Sequence, residues 1–149
     1  MHIWVDADAC PKIIKEMLYR AANRAKIMVT LVSNHPLSTP PSPFITRIQV
    51  TQGFDVADNR ILEKLTAGDI VITADIPLAD AVITKGGIAV NPRGELYTES
   101  NIKRRLAVRN LSSELRDSGT ITGGPDKISK QEIADFANVL DRLLAAAKK

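Results

Sequence analysis

The chain has 149 residues, 44% of them hydrophobic and 25% charged, and carries a net charge of +3. That length and balance suit one soluble domain with a buried core, and aromatic residues at only 4% argue against a platform for base stacking. A single cysteine, Cys10, excludes an internal disulfide, and one cysteine with two histidines cannot complete a four-ligand structural zinc site.

Along the first ninety residues strand-like and helix-like segments alternate. His2 to Asp6 reads as a short strand. A helix follows from Pro11 to about Ala25, with proline in the first turn where its missing N–H costs nothing. Lys26 to Val32 is apolar and β-branched, the mark of a second strand. Ser33 to Pro43 contains four prolines and is an extended surface loop. Ile45 to Val50 alternates as a third strand, and Ala57, Ile61, Leu62 and Leu65 give the next helix its apolar face up to Gly68. Asp69 to Thr73 is a fourth strand, Pro77 to Thr84 a short helix and Ile88 to Val90 a fifth strand. This alternation predicts an α/β fold, with a mostly parallel sheet covered by helices on both faces in three α-β-α layers.

The C-terminal third, about residues 99 to 149, reads as helical and packed on the same domain. One helix is expected from Glu99 to about Ser118, and a last one from Ser129, where Ser129 and Glu132 have capping-box spacing. Its stripe of Ile133, Phe136, Ala137, Leu140, Leu143 and Leu144 must pack on the sheet or on a partner, so a homodimer through these helices is one expectation. The N-terminal strand begins at His2 without a signal-like leader, and no apolar run reaches membrane-spanning length, so the expected location is the cytoplasm and no membrane partner is expected.

Five acids gather where such a sheet would bring them to one end: Asp6, Asp55, Asp58, Asp75 and Asp80. Ligands of parallel sheets bind outside the carboxyl ends of the strands. Two carboxylates about 4 Å apart repel by about 4 kcal/mol at an effective dielectric near 20. Such a cluster calls for protons or a cation, and a divalent metal points to chemistry on phosphates. Helix starts account for Asp55 and Asp75 in part, while a strand end does not ask for Asp6. Asp8, two residues beyond Asp6, complements the dipole of the following helix. Cys10 beside it is either a thiol activated at a helix N-terminus or a small apolar residue at a packed junction.

Several long stretches amount to a resemblance. They are Asp6-Ala7-Asp8-Ala9-Cys10-Pro11, Gly53-Phe54-Asp55-Val56-Ala57-Asp58, Gly68-Asp69-Ile70-Val71-Ile72-Thr73-Ala74-Asp75-Ile76-Pro77-Leu78-Ala79 and Pro92-Arg93-Gly94. From end to end the chain resembles the YaiI/YqxD family of uncharacterised bacterial proteins, and its acidic pattern resembles that of PIN-like nucleases. The resemblance implies a PIN-like sheet and Mg²⁺- or Mn²⁺-dependent hydrolysis of phosphodiester bonds, with RNA as the substrate. It also implies Asp6, Asp58 and Asp75 as catalytic metal ligands, with Asp80 as a candidate fourth acid; Asp55 stays a metal candidate from its place in the acidic cluster. Asp8 and Cys10 lie outside the general PIN pattern and enter as additions of this family.

Residues 97 to 149 carry ten basic and seven acidic side chains, whereas residues 1 to 96 carry ten of each, so the basic surplus is C-terminal. Lys103, Arg104 and Arg105 lie in a run that extends to Arg109 and offer a path for nucleic acid, against the plainer alternative of a solvated face. Arg93, Lys12 and Lys85 are candidates for phosphate contact. One rival reading is a haloacid-dehalogenase-like phosphatase, because Asp6-x-Asp8 after a strand mimics its nucleophile motif. Gly68-Asp69 would then mimic the distal acid but precedes its strand, on the wrong end of the sheet. The other rival is an RNA- or protein-binding module without catalysis, since a fold does not dictate a function.

Overall fold

Five short runs rich in Val and Ile form the sheet of the computed structural model, which describes residues 1–51, 56–107 and 127–147. The strands are β1 (His2–Asp6), β2 (Met28–Ser33), β3 (Ile45–Gln49), β4 (Ile70–Ile72) and β5 (Ile88–Val90). All pairings are parallel, in the order β3-β2-β1-β4-β5. Parallel neighbours need crossover helices, and the chain supplies them: α1 (Lys12–Ala25), α2 (Val56–Lys64) and α3 (Ile76–Thr84). Residues 99–107 form a further helix, α4, and Lys130–Ala147 form α5.

Side-chain alternation along the strands divides the core in two. Ile3, Val5, Val29, Leu31, Ile70 and Ile72 face α1 and α5, where Ile14, Leu18, Phe136, Leu140 and Leu144 cover them. Trp4, Val71 and Ala89 face the other way, under Ile61 of α2, Leu78 and Val82 of α3, and Ile102 of α4. The expected three-layer architecture is thus present. Of the apolar stripe of α5, Phe136, Leu140 and Leu144 are buried against this chain's own sheet, while Ile133, Ala137 and Leu143 are half-buried. No helix among the described residues is long and apolar enough to cross a membrane.

Element boundaries differ from the sequence expectation where backbone conformation intervenes. Lys26 takes a left-handed conformation (φ 56°) and closes α1, so β2 begins only at Met28. The second helix stops at Lys64, four residues before Gly68, because Leu65 to Asp69 form a turn instead. The Asp69 carboxylate organises that turn. It accepts from the Thr66 N–H (3.1 Å) and hydroxyl (3.0 Å), from Trp4 Nε1 (3.2 Å), and from the His2 N–H (3.1 Å). The expected helix from Glu99 to Ser118 is observed to residue 107; its remainder lies outside the described residues.

Burial pushes the Asp69 carboxyl up, but those hydrogen bonds together outweigh it and hold the group below its usual range. A depressed folded-state pKa stabilises the fold above the unfolded-state value near 3.9 and loses that contribution as pH falls further. Asp69→Asn is therefore expected to lose about 1–3 kcal/mol at pH 7 by urea denaturation. The gap to wild type should narrow below about pH 4. A pH-independent gap would assign the loss to shape alone.

Candidate functional site at the carboxyl ends of the strands

The strand order reverses direction between β1 and β4, and in open parallel sheets that is where ligands bind, outside the carboxyl ends. The register pairs Val5 with Ile72 and so sets Asp6 beside Thr73. Thr73 links the two strand-end acids. Its hydroxyl donates to Asp6 Oδ2 at 2.9 Å and accepts from the Asp75 N–H at 3.0 Å. Asp75 in turn caps α3, with Oδ1 accepting from the Leu78 N–H at 2.9 Å. The capping role expected for Asp75 is real and engages one of its two carboxylate oxygens. Among the described residues Asp6 Oδ1 and Asp75 Oδ2 have no hydrogen-bond partner.

Asp6 is the buried member, only 9% exposed. Burial pushes its carboxyl up from the ordinary range; the Thr73 hydrogen bond offsets part of this, and the charges of Asp75 and Asp8 push it further. The acids whose charges act on Asp6 are thus Asp75 and Asp8. Asp8 lies in a 3-10 turn over Ala7–Ala9 that joins β1 to α1. Its carboxylate is held on the β2 side, by the Asn34 N–H at 2.6 Å and His35 Nδ1 at 3.1 Å.

The remaining candidates are distributed differently. Asp58 stands in the first turn of α2, partly buried and engaged in an interaction of its own. Among the described residues no three His, Cys, Asp or Glu side chains form a ready metal cage, so Asp58 does not join Asp6 and Asp75 in one. Asp55 lies outside the described residues. Asp80 lines a small hollow on the α3–α4 side with Glu99, Ile102 and Lys103. Cys10 is buried and its thiol is pushed up to about 12, chiefly by burial, which fits the packed-junction reading rather than an activated nucleophile.

A cleft of about 460 Å³ opens at this end of the sheet, lined by Asp8, Cys10, Pro11, Ala74, Asn91 and Arg93 among others, but by neither Asp6 nor Asp75. Of the basic candidates, the structure brings Arg93 to it. Asn91 Oδ1 accepts from the Arg93 N–H at 2.7 Å and shapes the turn, while the guanidinium meets Glu132 of α5. Lys12 is exposed at the start of α1. Lys103 and Arg104 are exposed on α4, and Arg105 pairs with Glu95. Lys85 is not at the cleft. It closes α3 and reaches the Leu62 carbonyl, next to the turn that carries Gly86 and the start of β5. Asp69 also sits at that far end, bonded to the first residue of β1, so it cannot serve as the distal acid of a phosphatase site.

Sequence reasoning passed over Thr73 as an active part of the site, although Thr-x-Asp spacing at a strand end carried the signal. It passed over Asn91 and His35 entirely; neither belongs to a pattern that could mark it without the fold.

The family model described as "Uncharacterized BCR, YaiI/YqxD family" matches residues 4–146. A UPF0178 protein of Colwellia psychrerythraea is 56% identical over 149 residues, covering 100% of this chain and 99% of the relative. One from Shewanella amazonensis is 58% identical over 149 residues and covers 100% of both. Among solved structures, Rae1 (YacP) from Bacillus subtilis is similar with a TM-score of 0.42 and 16% identity, over 99% of each chain.

Proposed function

The chain belongs to the YaiI/YqxD family, and on that premise we propose that the switch point binds Mg²⁺ or Mn²⁺ through Asp6 and Asp75, next to the cleft that Ala74 and Asp8 line, and hydrolyses phosphodiester bonds of RNA in the cytoplasm. The observation that carries the reading is Asp6: a buried strand-end carboxylate, set by Thr73 and repelled by Asp75 and Asp8. Natural folds keep such a group when a cation relieves it. Two carboxylates with one oxygen each available suit a magnesium-like ion, which keeps much of its water shell and is completed by substrate phosphate. They suit zinc poorly. The acidic pattern shared with PIN-like nucleases supports the same chemistry.

Each residue then has a definite task. Thr73 fixes the Asp6 carboxylate and ties it to the backbone of Asp75. Capping by Asp75 aligns α3 through Oδ1 and engages one of its two carboxylate oxygens. Arg93 binds and orients a phosphate entering the cleft. When bound, the cation lowers the pKa of its water and stabilises charge on the departing oxygen.

The reading is tested by incubating wild type and Asp75→Asn with Mn²⁺ and either a single-stranded RNA or p-nitrophenyl phosphate. RNA cleavage by wild type, at least about 100-fold reduced in the variant, is expected. RNA binding without cleavage would replace the enzyme with the binding module. Hydrolysis of the monoester alone would restore the phosphatase.

A further inference from the structure

Arg93 lines two cavities at once. Besides the cleft described above, it borders a second one of about 580 Å³ with Glu95, Arg105, Glu132 and Asp135. Asn91 and Arg93 are common to both, so the two cavities are neighbours, with the guanidinium meeting Glu132 in the second. Its Nη1 donates to both carboxylate oxygens of Glu132, at 2.9 and 3.2 Å. A guanidinium receives carboxylate and phosphate oxygens by the same planar geometry. The Glu132 carboxylate thus occupies a place that fits a phosphate equally well.

We propose that Glu132 is an internal stand-in for a backbone phosphate: it fills the anion seat of Arg93 until an RNA phosphate displaces it. This rests on the reading that the cleft takes nucleic acid. Three observations support exchange over a permanent staple. Both partners are about one-third exposed, at 32% and 30%, so water can replace either. Next, α5 does not depend on the bridge. Ser129 and Glu132 cap it reciprocally, at 2.9 and 3.1 Å, and Phe136, Leu140 and Leu144 anchor it in the core. Last, the second cavity holds two arginines against three carboxylates, so a polyanion is repelled unless one acid withdraws. The Ser129 N–H first, and Arg93 with it, hold the Glu132 carboxyl below its usual range, so the stand-in is charged at neutral pH.

The test uses Glu132→Gln, because glutamine keeps the capping box while removing the negative charge that faces Arg93. Affinity for a short fluorescein-labelled single-stranded RNA is measured by anisotropy at low salt, with EDTA present so that the RNA stays intact. Glu132→Gln is expected to bind about 5- to 10-fold more tightly than wild type, in the range of ordinary linked binding equilibria. In an Arg93→Ala background the same substitution should give no gain, since the seat itself is missing. Equal affinities of wild type and Glu132→Gln, whether tight, weak or undetectable, would overturn the proposal. So would an equal gain in both backgrounds, which is a general charge effect. Failure of the proposed hydrolysis shows separately, as missing Mn²⁺-dependent cleavage with the affinity difference intact.

Discussion

Asp6→Asn is expected to make the cation-free protein more stable while abolishing Mn²⁺-dependent cleavage. The Asp6 carboxyl is raised above its unfolded-state pKa by burial and by the charges of Asp75 and Asp8. For an acid shifted that way, the folded state binds the proton more tightly than the unfolded state. Stability therefore falls as pH rises through the unfolded and then the folded pKa, and a constant penalty remains at neutral pH. Asparagine removes the charge and can still accept from the Thr73 hydroxyl. Relief of roughly 1 kcal/mol would raise the melting temperature by about 2–4 °C in a chain of this size. Adding Mn²⁺ should reverse the order. A ligand at about 100 times its Kd stabilises the state that binds it by about 2.7 kcal/mol, and the variant lacks the site. Cleavage should fall at least about 100-fold. Melting curves of both proteins in EDTA and in Mn²⁺ check this, and an Asp6→Asn that is less stable in both would mean that the carboxylate serves structure.

Gly94→Ala is expected to undock α5 and to cost about 3–5 kcal/mol, the range of the severest single substitutions. Gly94 has φ 98°, and a Cβ there would lie 2.5 Å from Asp135 Cβ and 2.7 Å from Phe136 N. Those atoms belong to the helix that buries Phe136 in the core, so relief requires the helix itself to move. Gly68 provides the control. Its φ is 90°, yet a Cβ would meet nothing within 4 Å. Gly68→Ala should therefore show only backbone strain, about 1–3 kcal/mol. Urea denaturation of the two variants separates the terms, and equal losses would show that α5 yields without cost. Since α5 also carries Glu132 against Arg93, Gly94→Ala should alter RNA affinity where Gly68→Ala does not.

The sheet was legible because strands buried on both faces leave near-continuous Val/Ile runs, and β1 and β5 fall at their expected residues. The capping box of α5 was equally legible, since Ser129 and Glu132 interact within four residues. Ends set by one backbone conformation, such as Lys26, were not, because a left-handed lysine carries no compositional mark. That Asp6 and Asp75 stand next to each other after β1 and β4 was readable from strand ends alone. Where Asp8 and Asp58 fall relative to them was not, because that depends on how the loop after β1 turns Asp8 toward β2 and on where α2 begins. Lys85 illustrates the same limit: its charge suggested phosphate contact, while chain direction placed it at the far end of the sheet. The meeting of Arg93 and Glu132, 39 residues apart, needed the tertiary fold.

The central claim is that Asp6 and Asp75, joined through Thr73, hold a divalent cation, and calorimetric titration of Mn²⁺ into wild type, Asp6→Asn and Asp75→Asn tests it most directly. One saturable site in the wild type, lost in both variants, is the expected result. No binding by the wild type, or undiminished binding by both variants, would contradict it.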